Sequence, residues 1–189
     1  CYGECARAYE LGATLTPDNA SPDILIEVAE CLELNGEIDP ATQAYQLVCK
    51  KFPKSKYAYA SYLALARICV DAHDYDRAIE FAQKASSMRL RGSEEAVLLW
   101  GDILVLMGDL DGAAGIYDRV RTYWQDKYAQ EAYFNLGEIC FFQGKWDDAI
   151  SYYDLVSHKF PEEERANDAI ERLVLIKSSK RGEGYSRHL

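Results

Sequence analysis

The feature that most constrains this chain of 189 residues is a motif that returns four times, at intervals of 35 to 37 residues. Each copy has a turn position, a small residue seven positions before it and an alanine five positions after it. The turn positions are Gly36, His73, Gly108 and Gly144. Apolar residues recur at spacings of three and four on both sides of each turn, which predicts two amphipathic helices per copy. Since neither helix can bury its apolar face alone, the copies are expected to stack on one another.

The remaining columns of the motif have a common explanation in helix packing. A small residue in the first helix and an alanine in the second allow two backbones to approach closely. The small residues are Ala29, Ala66, Gly101 and Gly137, and the alanines are Ala41, Ala78, Ala113 and Ala149. Four residues after the alanine comes an aromatic residue in three copies, Tyr45, Tyr117 and Tyr153, with Ala82 in the second. The pattern therefore predicts an all-α fold of close-packed helix pairs.

These columns resemble the tetratricopeptide repeat (TPR), over residues 22–161. The resemblance implies a right-handed superhelical solenoid of antiparallel helix pairs. The links LVCKKFPKSKYAYASYLALA and VSHKFPEEERANDAIERL resemble the bacterial subgroup with F-P-x-S-x-Y/A-A junctions. That subgroup includes proteins similar to the Tol-Pal coordinator and the outer-membrane assembly lipoprotein. Two departures are His73 in place of a turn glycine, and Trp124-Gln125-Asp126 in place of a proline.

The repeats divide the chain into one predicted solenoid over residues 1–178. Its parts are a half repeat or cap helix at 1–18, repeats at 22–57, 59–92, 94–127 and 130–161, and a final helix at 164–178, followed by a disordered tail at 179–189. Residues 3–17 have the pattern of a second helix, with Cys5 in the alanine column and Tyr9 in the aromatic column. Because the matching first helix is missing, the chain is read as a piece of a longer repeat array, or as one with a lone capping helix.

Composition limits the classes of partner and compartment. The chain has 31 acidic residues against 21 lysines and arginines, for a net charge of −10. That balance disfavours nucleic acid and favours a basic or apolar protein segment, although acidic residues also serve solubility. No apolar run is long enough for a transmembrane helix. Six cysteines without a C-x-x-C pair favour a reducing, cytoplasmic compartment. The alternative is a periplasmic or lipid-anchored protein at the cell envelope, because Cys1 is what a processed bacterial lipoprotein shows.

The sequence contains no motif that would carry catalysis or bind a cofactor. Phosphate-binding loops, nucleophile elbows, zinc-protease motifs and dinucleotide fingerprints are all absent from it. Its three histidines lie far apart in the repeat scheme, so no metal site is predicted. The prediction is a protein that is not an enzyme and has no cofactor.

The TPR resemblance implies that the first helices line a concave groove, where partner segments bind. The predicted partner-binding residues are Leu63, Arg67, Leu98, Asp102, Phe134, Asn135, Glu138 and Phe141. They form an apolar stripe and a mainly acidic stripe, which would suit a basic or apolar segment. The competing interpretation is that the apolar residues pack between neighbouring helices and that the acids are only solvated.

Two functions remain open at this point. One is a scaffold or adaptor that holds a partner segment in the groove. The other is a structural spacer or self-association module of a larger protein, such as one at the bacterial cell envelope. The second hypothesis rests on the apolar residues of the final helix between Ile170 and Ile176, which exceed what a solvated cap needs.

Overall fold

A computed structural model describes residues 21–88, 93–124, 127–162 and 164–186, with side chains of the last helix as far as Ser179. The predicted half repeat at 1–18 lies outside the described residues. Within the described ranges the secondary structure is helical throughout, without a strand. The helices are α1 (Pro22–Leu34), α2 (Ile38–Lys51), α3 (Lys56–Asp71), α4 (Tyr75–Ser87), α5 (Glu94–Leu106), α6 (Leu110–Tyr123), α7 (Lys127–Phe142), α8 (Trp146–Lys159) and α9 (Arg165–Ser186). The last helix continues past residue 178, where the sequence predicted a disordered tail to begin.

The chain divides into two compact units, residues 1–103 and 104–189. In the first unit, α1 pairs with α2 and α3 pairs with α4, while α3 also packs on α2 and α1. The core of the first pair contains the predicted small and aromatic columns, Ala29, Ala41 and Tyr45, together with Leu65 of the following helix. The core of the second pair joins Ala66 to Ala78 and Ala82. These packed pairs confirm the all-α, TPR-like fold class.

The second unit repeats this arrangement. Helix α7 pairs with α8 and packs on α6, and α9 packs on α8 and α7. Its core contains Ala149, Tyr153, Val156 and Phe160, together with Leu173 of α9. The position of α9 relative to the pair before it is therefore that of the first helix of a further repeat.

The turn column behaves as the sequence predicted. Gly36, Gly108 and Gly144 have φ values of 80°, 81° and 72°, in the left-handed region that glycine enters without steric cost. His73 adopts the same conformation with φ 59°, and its ring Nδ1 lies 3.0 Å from the Tyr75 hydroxyl. Replacement of glycine by histidine therefore leaves the turn geometry unchanged, at a cost in backbone strain.

Gly137 shows why the first helix needs a small residue. A Cβ atom added there would lie 2.7 Å from Cε1 of Tyr153, closer than carbon atoms approach in proteins. Tyr153 is fully buried, so its ring has no free space into which it could move. The small-residue column thus reflects the close approach of α7 to the aromatic ring of α8.

Candidate binding face

The predicted partner-binding residues lie on one side of the first helices, which we call the first-helix face. In repeat register it comprises the residues one and four positions after each small residue and those two, three and six positions before that small residue. The charged and predicted members are Glu27, Glu30 and Glu33 on α1; Leu63 and Arg67 on α3; Glu95, Leu98 and Asp102 on α5; and Glu131, Phe134, Asn135, Glu138 and Phe141 on α7.

In the first unit the apolar candidates belong to the core. Leu63 is 5% exposed and packs with Ala85 and Ala96, and Leu98 is also buried. The charged candidates, Arg67 and Asp102, are exposed. Arg67 donates a hydrogen bond from Nη2 to Glu95 Oε1 at 2.6 Å, which joins α3 to α5. The accessible chemistry of this face is therefore charged rather than apolar.

Helix α1 adds three carboxylates to the first unit. Glu27, Glu30 and Glu33 follow one another at intervals of three, so their side chains are neighbours on the helix surface. Glu33 accepts a hydrogen bond of 2.6 Å from the Tyr45 hydroxyl. Glu27 and Glu30 are exposed, and no described lysine or arginine forms an ion pair with either. Desolvation raises the pKa of Glu30, and repulsion from Glu27 and Glu33 raises it further.

In the second unit, Phe134 is a core residue. Its ring is buried, with its centroid 5.7 Å from that of Tyr153, and the Arg165 guanidinium lies 5.0 Å from the ring centroid on another side. Phe141 is half-buried and packs edge-on against Trp146 at 5.1 Å. Asn135 is half-buried and has a polar partner.

Glu138 is held by three hydrogen bonds. Its Oε1 accepts from the Tyr153 hydroxyl at 2.6 Å and from Arg172 Nε at 2.7 Å, and its Oε2 accepts from Arg172 Nη2 at 3.0 Å. The bond to Glu138 raises the pKa of Arg172. Burial raises the pKa of the Tyr153 hydroxyl, and the bond to Glu138 raises it further. Glu138 thus serves as the acceptor that a buried tyrosine hydroxyl requires.

A second arginine of α9, seven residues before Arg172, forms a similar pair. Arg165 donates from Nε and Nη2 to the two carboxylate oxygens of Glu131, each at 2.8 Å. This bidentate pair raises the pKa of Arg165. Both acidic positions of α7 on the first-helix face are therefore neutralised by arginines of α9.

Sequence reasoning missed these two arginines, although a signal was available. Arg165 and Arg172 are seven residues apart, as are Glu131 and Glu138, and each pair is separated by 34 residues. Two helices whose facing charges share a seven-residue spacing align them along one side. The apolar residues of the final helix dominate its sequence pattern, and its arginines become informative only when they are compared with the acids of α7.

The described residues include no group of three His, Cys, Asp or Glu side chains placed to hold a metal ion. None of the helices in the described ranges is long and apolar enough to cross a membrane.

Comparison with protein families decides what the repeats are. Two family models described as tetratricopeptide repeat match residues 24–55 and residues 98–164. The chain contains tetratricopeptide repeats. No curated protein sequence matches it.

Several solved structures share the fold. The crystal structure of MamA is 23% identical, with a TM-score of 0.62 over 83% of this chain and 82% of MamA. YrrB, titled a TPR protein with an unusual peptide-binding site, is 20% identical, with a TM-score of 0.59 over 93% of this chain and 83% of YrrB. PilF of Pseudomonas aeruginosa is 14% identical, with a TM-score of 0.65 over 87% of this chain and 72% of PilF. At these identities the likeness concerns the fold alone.

Proposed function

We propose that this TPR chain is a non-enzymatic scaffold that binds a basic segment of a partner protein on the first-helix face of its first unit. The observation that carries the proposal is the pair Glu27 and Glu30, exposed on α1 without a cation from the described residues. Proteins with TPR repeats generally act as protein-interaction modules, and YrrB is titled a peptide-binding member of this fold. The proposal narrows that general role to one surface and one class of partner.

A bound cation would change the electrostatic energy of this face. Like charges three or four residues apart on a helix destabilise it by about 0.2–0.5 kcal/mol per pair. A lysine or arginine supplied by a partner would remove that repulsion and add its own attraction. Charge complementarity of this kind mainly provides specificity and faster association. The face therefore gains most from a ligand that brings at least two positive charges.

Arg67 and Asp102 complete the proposed site. The Arg67–Glu95 ion pair is exposed on both sides, with side-chain exposures of 58% and 46%. An exposed pair of this kind contributes about 0–1 kcal/mol, so a partner's arginine can displace Arg67 from Glu95 at little cost. The same exchange in the second unit would have to break the bidentate Arg165–Glu131 and Arg172–Glu138 pairs. We therefore place the partner on the first unit and leave Glu138 in a structural role.

Binding of labelled peptides tests the proposal. Fluorescence anisotropy would be measured with a set of short peptides that differ only in their number of lysines and arginines. The double variant Glu27→Gln/Glu30→Gln should weaken binding of basic peptides by about tenfold, or about 1.4 kcal/mol. The matched control is Glu37→Gln, which removes one exposed charge from the turn of the same helix pair. Equal binding of basic and neutral peptides by the native chain would contradict the proposal.

We also propose a cytoplasmic location and membership of the bacterial TPR subgroup that has Phe-Pro junctions. The described cysteines form no disulfide bond with one another, and burial raises the pKa of the Cys49 thiol to about 11. Phe160 of the second junction is buried in the core of its unit, which gives the Phe-Pro pair a packing role. Fractionation of the native host tests the location, and recovery with the cell envelope would favour the lipid-anchored alternative.

The self-association hypothesis rests on a different surface. Ile170, Val174 and Leu175 of α9 are 48%, 63% and 49% exposed, although α9 packs on the pair before it.

A further inference from the structure

The link between α2 and α3 carries a cluster of positive charge that contrasts with the acidic composition of the chain. Residues 50–56 include four lysines and no acid, although the net charge of the chain is −10. A hydrogen bond of 3.0 Å from the Ser55 amide to the Phe52 carbonyl closes a turn within this stretch. Because α2 packs on α3, the lysines before and after the turn lie at the same end of this helix pair. We call them the basic junction: Lys50, Lys51, Lys54 and Lys56.

The basic junction is not balanced by acids of the described chain. Lys50, Lys54 and Lys56 are exposed, and no described Asp or Glu forms an ion pair with any of them. Lys56 instead lies over the ring of its neighbour Tyr57, with Nζ 5.1 Å from the ring centroid. Within the described ranges, these three ammonium groups are therefore accessible to a negatively charged ligand.

The second Phe-Pro junction of the chain, between α8 and α9, has the same backbone geometry as the basic junction. Phe52 ends α2 with φ −127° and ψ 52°, and Phe160 ends α8 with φ −129° and ψ 51°. The amide of each phenylalanine donates to the carbonyl four residues before it, at 2.9 Å and 3.1 Å. The two junctions can therefore be compared position by position.

The two junctions carry opposite charges after the proline. Glu162 and Glu164 take the positions of Lys54 and Lys56, and all four side chains are exposed. Since the same turn forms with glutamates at these positions, the fold does not require lysine there.

The helix dipole makes lysine the less favourable charge at these two positions. A helix N-terminus carries partial positive charge, which favours acids and disfavours cations. Lys56 is the first residue of α3 and Lys54 lies just before it, whereas Glu164 directly precedes α9. Lys50 and Lys51, by contrast, lie in the last turn of α2, where the dipole favours cations. Local stability therefore favours acids at positions 54 and 56, and a ligand that brings negative charge would offset the unfavourable placement of the lysines.

We propose that the basic junction binds an acidic segment of a partner protein, with Lys54 and Lys56 as its main contacts. Asp or Glu carboxylates of such a segment would form ion pairs with ammonium groups that no described acid contacts. This site has the opposite charge from Glu27 and Glu30 on α1, so it adds a second class of partner to the scaffold role proposed above. Charge complementarity would give each site its own specificity.

A short segment suits this charge distribution better than an extended polyanion does. Screening limits electrostatic attraction to about 8 Å at physiological ionic strength, which is the scale of a single junction. A membrane surface or a nucleic acid extends further, and it would also meet the acidic residues that dominate the rest of the chain. A short acidic segment contacts the lysines alone.

Peptide binding to the 189-residue chain tests the proposal. Fluorescence anisotropy would be measured with a short labelled peptide of alternating Glu and Gly, and with the same peptide in which Gln replaces Glu. The acidic peptide should bind more tightly than the Gln peptide, and added salt should weaken its binding. Lys54→Glu/Lys56→Glu, which copies the charges of the second junction, should weaken binding at least about tenfold, or about 1.4 kcal/mol. Lys54→Arg/Lys56→Arg should retain binding, because it keeps both charges.

Two controls separate the site from net charge and from the acids of α1. Lys127→Glu/Lys145→Glu makes the same change in net charge at exposed positions of the second unit, and it should bind the acidic peptide as the native chain does. Glu27→Gln/Glu30→Gln should not weaken this binding, so failure of the α1 site and failure of the basic junction are distinguishable.

Chemical denaturation keeps the main variant interpretable. Lys54→Glu/Lys56→Glu should unfold at a higher denaturant concentration than the native chain, because its new charges suit the N-terminus of α3. Loss of peptide binding by a chain that is at least as stable as the native one cannot be attributed to unfolding.

Three results would overturn the proposal: equal binding of the acidic and Gln peptides, binding that survives Lys54→Glu/Lys56→Glu, or equal weakening by the control pair at 127 and 145. Tighter binding to phosphatidylserine vesicles or to single-stranded DNA than to the peptide, lost in Lys54→Glu/Lys56→Glu, would overturn it in favour of a membrane or a nucleic acid. Self-association of the native chain that the same variant abolishes would overturn it in favour of a second copy.

Discussion

The two units of the chain present acidic residues on the same face of their first helices, but they balance the charge differently. In the second unit, Glu131 and Glu138 are each paired with an arginine of α9. In the first unit, Glu27 and Glu30 have no described cation, and repulsion contributes to the raised pKa of Glu30. The acidic residues of α7 are therefore neutralised within the chain, whereas Glu27 and Glu30 have no cation among the described residues. The difference indicates where a charged partner gains most.

The largest expected change in stability concerns the small-residue column, at which the two units also differ. The first unit has alanine at two of its positions in this column, Ala29 and Ala66, and Gly101 at the third, whereas the second unit has Gly137 against the Tyr153 ring. Gly137→Ala, which copies the alanine of the first two repeats into the second unit, should lower the free energy of unfolding by about 1–3 kcal/mol through overpacking. Chemical denaturation measures the change. The control is Gly115→Ala in α6, where a Cβ meets nothing within 4 Å; it should stabilise by about 0.5–1 kcal/mol. If the two variants had equal effects, Gly137 could not lie in close contact with the Tyr153 ring.

Removal of one arginine should make the second unit resemble the first. Arg172→Met leaves Glu138, whose side chain is 19% exposed, without its cation. Because the remaining charge is partly buried, we expect a loss of about 1–2 kcal/mol in the free energy of unfolding. Arg119→Met on α6 is the control, since Arg119 is exposed and is not one of the arginines that pair with α7.

A double-mutant cycle isolates the pairing from the packing of Arg172 on the Phe141 ring. If Arg172→Met costs the same in the presence of Glu138→Gln, the coupling energy is zero and charge compensation is not what Arg172 supplies.

The turn column offers a third test, because the second unit has glycine at both turns while the first unit has His73 at one. His73→Gly should relieve the left-handed strain but lose the interaction between the imidazole and the Tyr75 hydroxyl. We expect a net stabilisation of about 0.5–1 kcal/mol in thermal or chemical unfolding. A loss of stability would mean that the contact with Tyr75 outweighs the strain.

The smallest expected effect concerns the uncompensated acids themselves. A carboxyl whose pKa is raised on folding lowers stability above its folded pKa and not below its unfolded pKa. Glu30→Gln should therefore stabilise the chain by about 0.2–0.5 kcal/mol at neutral pH, and the difference from the native chain should vanish as the pH falls below the unfolded value. Denaturant titrations at several pH values measure this. A gain that persists in acid would rule out charge repulsion as its source.

The sequence predicted the fold well because helix packing requires particular residues at regular spacings. The small residue at Gly137 predicted a close approach of two helices, although not that the Tyr153 ring is what it meets, and the positive φ of Gly36 followed from its turn position. The site was harder to predict, because exposure depends on what a neighbouring helix brings. Phe134 was expected on the binding face, but the Tyr153 ring and the Arg165 guanidinium cover it. Periodicity identifies the side of a helix on which a residue lies, and not which side chain of another helix will reach it.

The hydrogen bonds from buried tyrosines to surface acids have a consequence for how such a protein can change its partner. Glu33 and Glu138 each accept from a phenol in the core, so a side chain without an acceptor at either position would leave a buried hydroxyl unsatisfied. Among the described residues, neither Glu27 nor Glu30 accepts a hydrogen bond from a core tyrosine. Selection for a new specificity, or an engineer seeking one, can therefore replace Glu27 and Glu30 without affecting a core hydroxyl, whereas positions 33 and 138 must keep an acceptor. The two core tyrosines thus limit which side chains these two surface positions can carry.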